Sequence, residues 1–137
     1  MTAGDRPATL SIRRVDGRFA VHRLPPDADP PADLPIGTLV SVTRTPEELS
    51  VVVPEGTVVP GSRVETGWAC FRVVGPLAFT WTGIVASLTT ALAEAGVPVF
   101  VLSTFDTDWI LTPGKRSDDA VRALRTAGHD VDGTGAG

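Results

Sequence analysis

Between residues 68 and 131 the spacing of apolar side chains changes from two to about 3.6 and back, twice over, which leaves few ways to fold the segment. Residues 68–74 read as a strand. Beyond Gly75-Pro76, Ile84, Leu88, Ala91, Leu92 and Ala95 recur at helical spacing, with Thr82 as N-cap and Gly96 as the left-handed residue that ends the helix. Residues 97–102 are β-branched and bounded, which predicts a buried strand. Trp109-Ile110-Leu111 is its hairpin or neighbouring partner, and Pro113-Gly114 breaks the run. Ser117 caps a second helix, with Asp118 and Asp119 at its positive end and Ala120, Val121, Leu124 and Ala127 as its apolar stripe. Arg122 and Arg125 stand toward its negative end, and Gly128 stops it. Asp130-Val131 is the candidate for a last short strand.

The first half carries β signals. Residues 10–13 alternate, Asp16-Gly17 is a tight-turn signal, and residues 19–24 resume the alternation, a pattern that predicts a hairpin. Residues 25–35 hold five prolines and three aspartates and read as a loop. Residues 38–43 and 49–53 are further strands, joined by Thr45-Pro46-Glu47-Glu48 in the pattern of a one-turn helix start. The stretch 54–67 is rich in glycine and proline and is the best internal boundary. The element order from residue 68 onward is the split βαβ arrangement of a ferredoxin-like layer.

Charge and composition exclude several function classes. The formal net charge is -4 and the arginines are scattered, so the basic footprint of a phosphate-backbone binder is lacking and nucleic acid is not an expected partner. The longest uncharged stretch, 73–93, is broken by Gly75, Pro76 and Gly83, and does not read as a membrane span. No apolar h-region follows Met1, so a cytoplasmic location is expected. Cys70 is the only cysteine, and neither His22 nor His129 has a second histidine or cysteine at ligand spacing. Neither a metal site nor a cofactor is therefore expected. Pro113-Gly114-Lys115-Arg116-Ser117 lacks the earlier glycine of a phosphate loop, since Trp109 occupies that place. No nucleophile–base pair or paired carboxylates stand out, so the chain reads as a non-catalytic protein.

The run Val74-Gly75-Pro76-Leu77, then Thr82-Gly83-Ile84-Val85-Ala86-Ser87-Leu88, then Leu92-Ala93-Glu94-Ala95-Gly96-Val97-Pro98-Val99-Phe100, resembles the glycine, glycine-isoleucine and "LAEAGI" pattern of ACT domains, which are small-molecule sensors, mostly for amino acids. With the segment 44–52, Gly67-Trp68 and the segment 103–108, the chain is similar to small bacterial tandem-ACT proteins related to the CASTOR arginine sensors and to aspartokinase regulatory regions. The resemblance spans residues 10–131. It implies an α+β fold of two ferredoxin-like (ACT, βαββαβ) halves, with antiparallel sheets and helices packed on one face. Residues 1–62 would be a β-rich N-terminal ACT-like half, 63–132 a C-terminal ACT domain and 133–137 a disordered tail. One departure is the loop 78–82, which carries no charge where the ACT pattern often has an acid.

The expected site lies where the strand 97–102 runs into Ser103-Thr104-Phe105-Asp106-Thr107-Asp108, polar groups that are costly to bury unless hydrogen-bonded. Two readings stand. The segment caps a hairpin with Asx-type turns, or it is part of a recognition pocket. In the second reading the unpaired N–H groups from Thr82 through Gly83, Ile84 and Val85 hold a carboxylate, with Gly83 allowing close approach. Asp108 or Asp106 opposes the ammonium group or a basic side chain. The resemblance assigns pocket-lining roles to Thr104, Phe105 and Asp108. Trp81 is positioned to pack on a ligand side chain, and Ser50, with Glu47 and Glu48, would contribute from the first half. A free amino acid as ligand, a homodimer and a regulated protein partner follow as expectations; the alternative is a ligand-free interaction module of the same fold.

Overall fold

In the computed structural model, which describes residues 7–132, Asp16 and Gly17 do not turn the chain. Ser11–Leu24 is one strand of 14 residues, β1. Gly17 has φ +82°, which only glycine adopts at little cost, and it stands inside the strand. The local turn signal is overridden because the two ends of β1 have separate partners: Phe19 to Leu24 pair antiparallel with β3 (Leu49–Pro54), while Ser11 to Arg13 pair in parallel with β7 (Asp130–Asp132). The remaining elements are β2 (Ser41–Arg44), β4 (Arg63–Val73), α1 (Ile84–Glu94), β5 (Phe100–Ser103), β6 (Asp108–Pro113), a 3-10 turn (Gly114–Arg116) and α2 (Ser117–Thr126). They fall into two compact units. One comprises the chain up to Asp16 and from Ala69 onward, and the other is Gly17–Trp68.

The first unit has the strand order β7-β1-β4-β6-β5. Along the chain, β4-α1-β5-β6-α2-β7 is the expected βαββαβ order, with the first residues of β1 placed between β7 and β4. Alternate residues of the strands, Ile12, Phe71, Val73, Ile110 and Val131, meet Ile84, Leu88 and Leu92 of α1 and Ala120, Val121 and Leu124 of α2 in one core. Both helices thus cover the same sheet face. Leu88, Leu92 and Leu124 are fully buried, each worth about 1.5–3 kcal/mol on leaving water.

Three expectations for the helices and β5 need correction. The N-cap of α1 is Gly83 (φ 78°), not Thr82, and no side chain caps it. Ser117 is the first residue of α2 rather than its cap; its hydroxyl accepts a hydrogen bond from Arg14 Nη2 at 3.0 Å. Strand β5 begins at Phe100 rather than Val97, because Pro98 has no N–H for a ladder. The helix ends are as expected. Gly96 (φ 69°) ends α1, with Val97 N–H donating to Leu92 O at 2.9 Å. Arg116 then donates to the carbonyls of Ala95 and Gly96 (3.2 Å each) and to Asp119 Oδ2 (2.7 Å), tying the end of α1 to the start of α2. The Arg116 hydrogen bond holds the Asp119 carboxyl below the usual carboxylate range.

The second unit departs further. Its strands run β2-β3-β1 beside the first residues of β4, over a small core of Leu24, Leu49, Val51, Val53 and Val59. Residues 45–48 form a hairpin turn rather than a helix start, because Thr45 Oγ1 accepts the N–H groups of Glu47 and Glu48 at 3.2 and 3.1 Å. Strand β4 starts at Arg63, inside the stretch read as loop. Among its residues there is no helix, so βαββαβ describes the first unit alone and the two-halves expectation is not met. The prolines of residues 25–35 and the absence of a 3.6 spacing account for that. The expected halves 1–62 and 63–132 are drawn differently from these units, and the expected tail 133–137 lies outside the described residues.

His22 is buried in the second unit. Its Nδ1–H donates to Ser62 Oγ at 2.7 Å, since the Ser62 hydroxyl itself donates to Val59 O. Burial pushes the imidazole below its ordinary value of 6.5. The unfolded chain therefore takes up this proton first. The associated stability is whole above pH 6.5, drains as pH falls from there through the folded-state value, and changes no further below it. Melting temperatures of wild type and His22→Asn at about pH 7.5 and about pH 5.5 check this: the wild type is expected to lose more on acidification, and equal losses would refute it.

Candidate functional site

The segment 103–108 is the tight end of the β5–β6 hairpin, with Ser103 opposite Asp108. Thr104 N–H and Oγ1 both donate to Thr107 O (2.8 and 3.0 Å). The buried Thr107 hydroxyl donates to Val73 O of β4 at 2.6 Å. The Ser103 hydroxyl donates to Asp108 Oδ1, also at 2.6 Å. All three hydroxyls are engaged within the hairpin and its support, so the turn-capping reading holds for Ser103, Thr104 and Thr107. The aspartates differ in setting. Asp108 is 9 % exposed, whereas Phe105 and Asp106 stand at the solvated tip.

The loop between β4 and α1 packs onto this tip. Leu77 N–H donates to Asp106 O at 2.7 Å. A Cβ on Gly75 would lie 2.8 Å from the same oxygen and 3.1 Å from Thr107 Cβ, so the backbones meet at glycine distance. Phe79 and Phe105 pair edge to face, centroids 4.9 Å apart, an arrangement worth about 0.5–1.5 kcal/mol beyond area. Both rings are nevertheless largely exposed.

Loop, hairpin and the start of α1 border an open cavity of about 350 Å³. Trp81, Gly83, Ile84, Thr104, Phe105, Asp106 and Asp108 line it, which brings together seven residues expected from the sequence. Thr82 precedes the helix cap and does not line the cavity. Ser50 lies in β3 of the second unit, opposite Arg23 and Thr43, and is not among the lining residues. The sequence reading missed Phe79 and Leu77; an uncharged loop gives no chemical signal, and only its position before the helix glycine could have marked them. Among the described residues the lining contains two carboxylates and no Lys, Arg or His. At the other wall α1 opens with Gly83, without a side-chain acceptor or an acid in its first turn, and its first ladder bond is Ser87 N–H to Gly83 O. The N–H groups of Ile84, Val85 and Ala86 thus have no partner in the helix ladder, and the helix dipole adds partial positive charge there.

Another cluster escaped the sequence reading. The Ser87 hydroxyl lies 2.8 Å from Nε2 of the buried His129, a distance suited to a nucleophile and its base. The hydrogen-bond pattern assigns the opposite roles. Leu10 N–H donates to His129 Nδ1 at 3.2 Å, so in the neutral ring Nε2 carries the proton and donates to Ser87. The pair ties α1 to the start of β1. Among the described residues no three His, Cys, Asp or Glu side chains are grouped to hold a metal ion, and no helix is long and apolar enough to cross a membrane.

Comparison with known proteins gives a consistent picture. Residues 63–126 match the family model described as ACT domain. Among solved structures, protein Atu0741 from Agobacterium tumefaciens is 36 % identical, with 90 % of this chain and 92 % of that one covered and a TM-score of 0.82. The Vibrio cholerae protein VC0802 is 19 % identical (88 % and 91 % covered, TM-score 0.67). The regulatory subunit of aspartate kinase from Thermus thermophilus is 14 % identical (82 % and 93 % covered, TM-score 0.59). The last two likenesses are of fold.

Proposed function

We propose that the chain, whose residues 63–126 match the ACT-domain model, is a non-catalytic regulatory protein that binds a free amino acid in the cavity between the start of α1 and the β5–β6 hairpin. The observation that carries this reading is the pairing, across one cavity, of an uncapped helix N-terminus with the buried Asp108 carboxylate. A zwitterion matches both walls: its carboxylate takes the N–H groups of the first turn, and its ammonium takes Asp108. Phe105, Trp81 and the Thr104 turn flank the side chain, with Asp106 at the tip.

Kinship with CASTOR-type and aspartokinase-like sensors, a cytoplasmic location and a homodimer belong to the same proposal. In support of the dimer, β5 is the terminal strand of its unit and, among the described residues, has only β6 beside it, so a second copy is able to extend the sheet. Binding acts on a regulated partner by shifting an equilibrium between states of different ligand affinity.

Thermal-shift measurements across the amino acids test the proposal. At least one is expected to raise the melting temperature by several degrees, since ligand at 100 times its Kd adds about 2.7 kcal/mol. No response to any amino acid would favour a ligand-free interaction module instead.

A further inference from the structure

Residues 31–35 and 57–60 border an open groove of about 750 Å³ within the unit Gly17–Trp68. Pro31, Leu34, Pro35, Val58 and Pro60 make its walls largely apolar, and Asp33 is the one charged side chain among the described lining residues. Ile36, next to Pro35 in the chain, is 99 % exposed and Val58 is 77 % exposed. Asp27, Asp29 and Asp33 stand exposed on the same loop. Among the described residues none of these three carboxylates has an ion pair or a hydrogen bond. From this juxtaposition we infer that the groove docks a segment of a protein partner that carries large apolar side chains flanked by Lys or Arg. The inference does not depend on what the cavity at the start of α1 binds.

The groove is preformed. Leu34 packs on the core of Leu24, Leu49, Val51, Val53 and Val59, which fixes the floor. Upstream, Ala28 N–H donates to Pro25 O at 3.1 Å, and Arg44 donates to Pro26 O and, at 2.9 Å, to Ala28 O. With five prolines between residues 25 and 35 restricting the backbone, little freedom is left to lose when a partner arrives. The chemistry of that partner follows from what the walls offer. Pro31, Pro35 and Pro60 have no N–H with which to pair an added strand, so recognition rests on side chains. Covering Ile36 and Val58 removes apolar surface from water and calls for apolar anchors. The three unpaired aspartates attract a cationic flank and repel an acidic one. A second copy of this chain fits poorly. In a two-fold contact each patch meets its own image, which sets aspartates against aspartates, and the net charge of -4 opposes the approach as well.

Selection of random phage-displayed peptides against the full chain supplies the probe. The enriched peptides are expected to share large apolar residues flanked by Lys or Arg, and their affinity, read by fluorescence anisotropy, is expected to fall as salt rises. Changing Asp27, Asp29 and Asp33 together to Asn should weaken them about three- to thirtyfold. The double change Ile36→Ser and Val58→Ser should weaken them about tenfold or more. Both sets of positions are exposed, so the melting temperature without peptide is expected to stay near that of the wild type and separates lost docking from lost folding. Failure to enrich any peptide, enrichment of peptides without basic residues, or affinities indifferent to either set of changes would overturn the inference. So would sedimentation showing a wild-type dimer that the double change dissociates, since the face would then belong to a second copy.

Discussion

Asp108→Asn is expected to abolish the response to amino acids while leaving the ligand-free protein at least as stable as the wild type. The side chain is buried and its Oδ1 accepts the Ser103 hydroxyl, a role that an amide oxygen at the same place takes over. The hairpin therefore keeps its cross-strand bond. What goes is the charge, which is costly to bury in the free protein and is the partner of the ligand's ammonium in the complex. Removing one member of a buried, hydrogen-bonded charge pair costs about 2–5 kcal/mol of binding, which at about 1.4 kcal/mol per decade is roughly 30- to several-thousand-fold in Kd. Titration calorimetry gives the affinity and a melting curve without ligand gives the stability. Unchanged affinity would remove Asp108 from the site. A melting temperature several degrees below wild type would show that the carboxylate serves the fold.

Gly75→Ala is the change expected to damage the fold most for its size. One methyl group would stand 2.8 Å from the Asp106 carbonyl oxygen, a backbone atom, and 3.1 Å from Thr107 Cβ. Neither is the loose end of a flexible side chain. The hairpin tip has to retreat, which strains or breaks the Leu77 N–H bond to that oxygen and displaces Thr107 from Val73. Overpacking costs about 1–3 kcal/mol and a lost hydrogen bond about 1 kcal/mol. For a chain of this length the melting temperature should then fall by roughly 10 °C. The same retreat opens the cavity, so any amino-acid affinity falls with it. Melting within about a degree of wild type would show that the tip yields freely.

Much of the first unit was legible because its signals are local and mutually consistent. Leu88 and Leu92 at helical spacing, Gly96 and Gly128 at the stops and the acids opening α2 all specify elements that pack on their chain neighbours. The failures cluster where local chemistry was overruled by a distant partner. Asp16-Gly17 has the residues of a tight turn, yet the two flanking segments pair with strands far along the chain, and nothing near residue 17 announces that. Thr45 to Glu48 carries a helix-start pattern, and the same threonine hydroxyl serves a hairpin turn equally well. The site divides in the same way. Thr104, Phe105, Asp106 and Asp108 are neighbours in sequence and remain so in the cavity, whereas Phe79 reaches it through a loop fold that Gly75 and the Asp106 carbonyl determine. Ser50 was linked to the site by an assumed symmetry of halves, and the second unit lacks the helices such symmetry requires.

The unit Gly17–Trp68 is contiguous, whereas the other closes only when Leu10 meets His129, 119 positions later. On the ribosome the segment Gly17–Trp68 has all its residues before the other unit has its last strand, β7. The start of β1 must therefore wait for β7, a mate made after every other strand of its unit. Such late, long-range closure slows assembly of this unit.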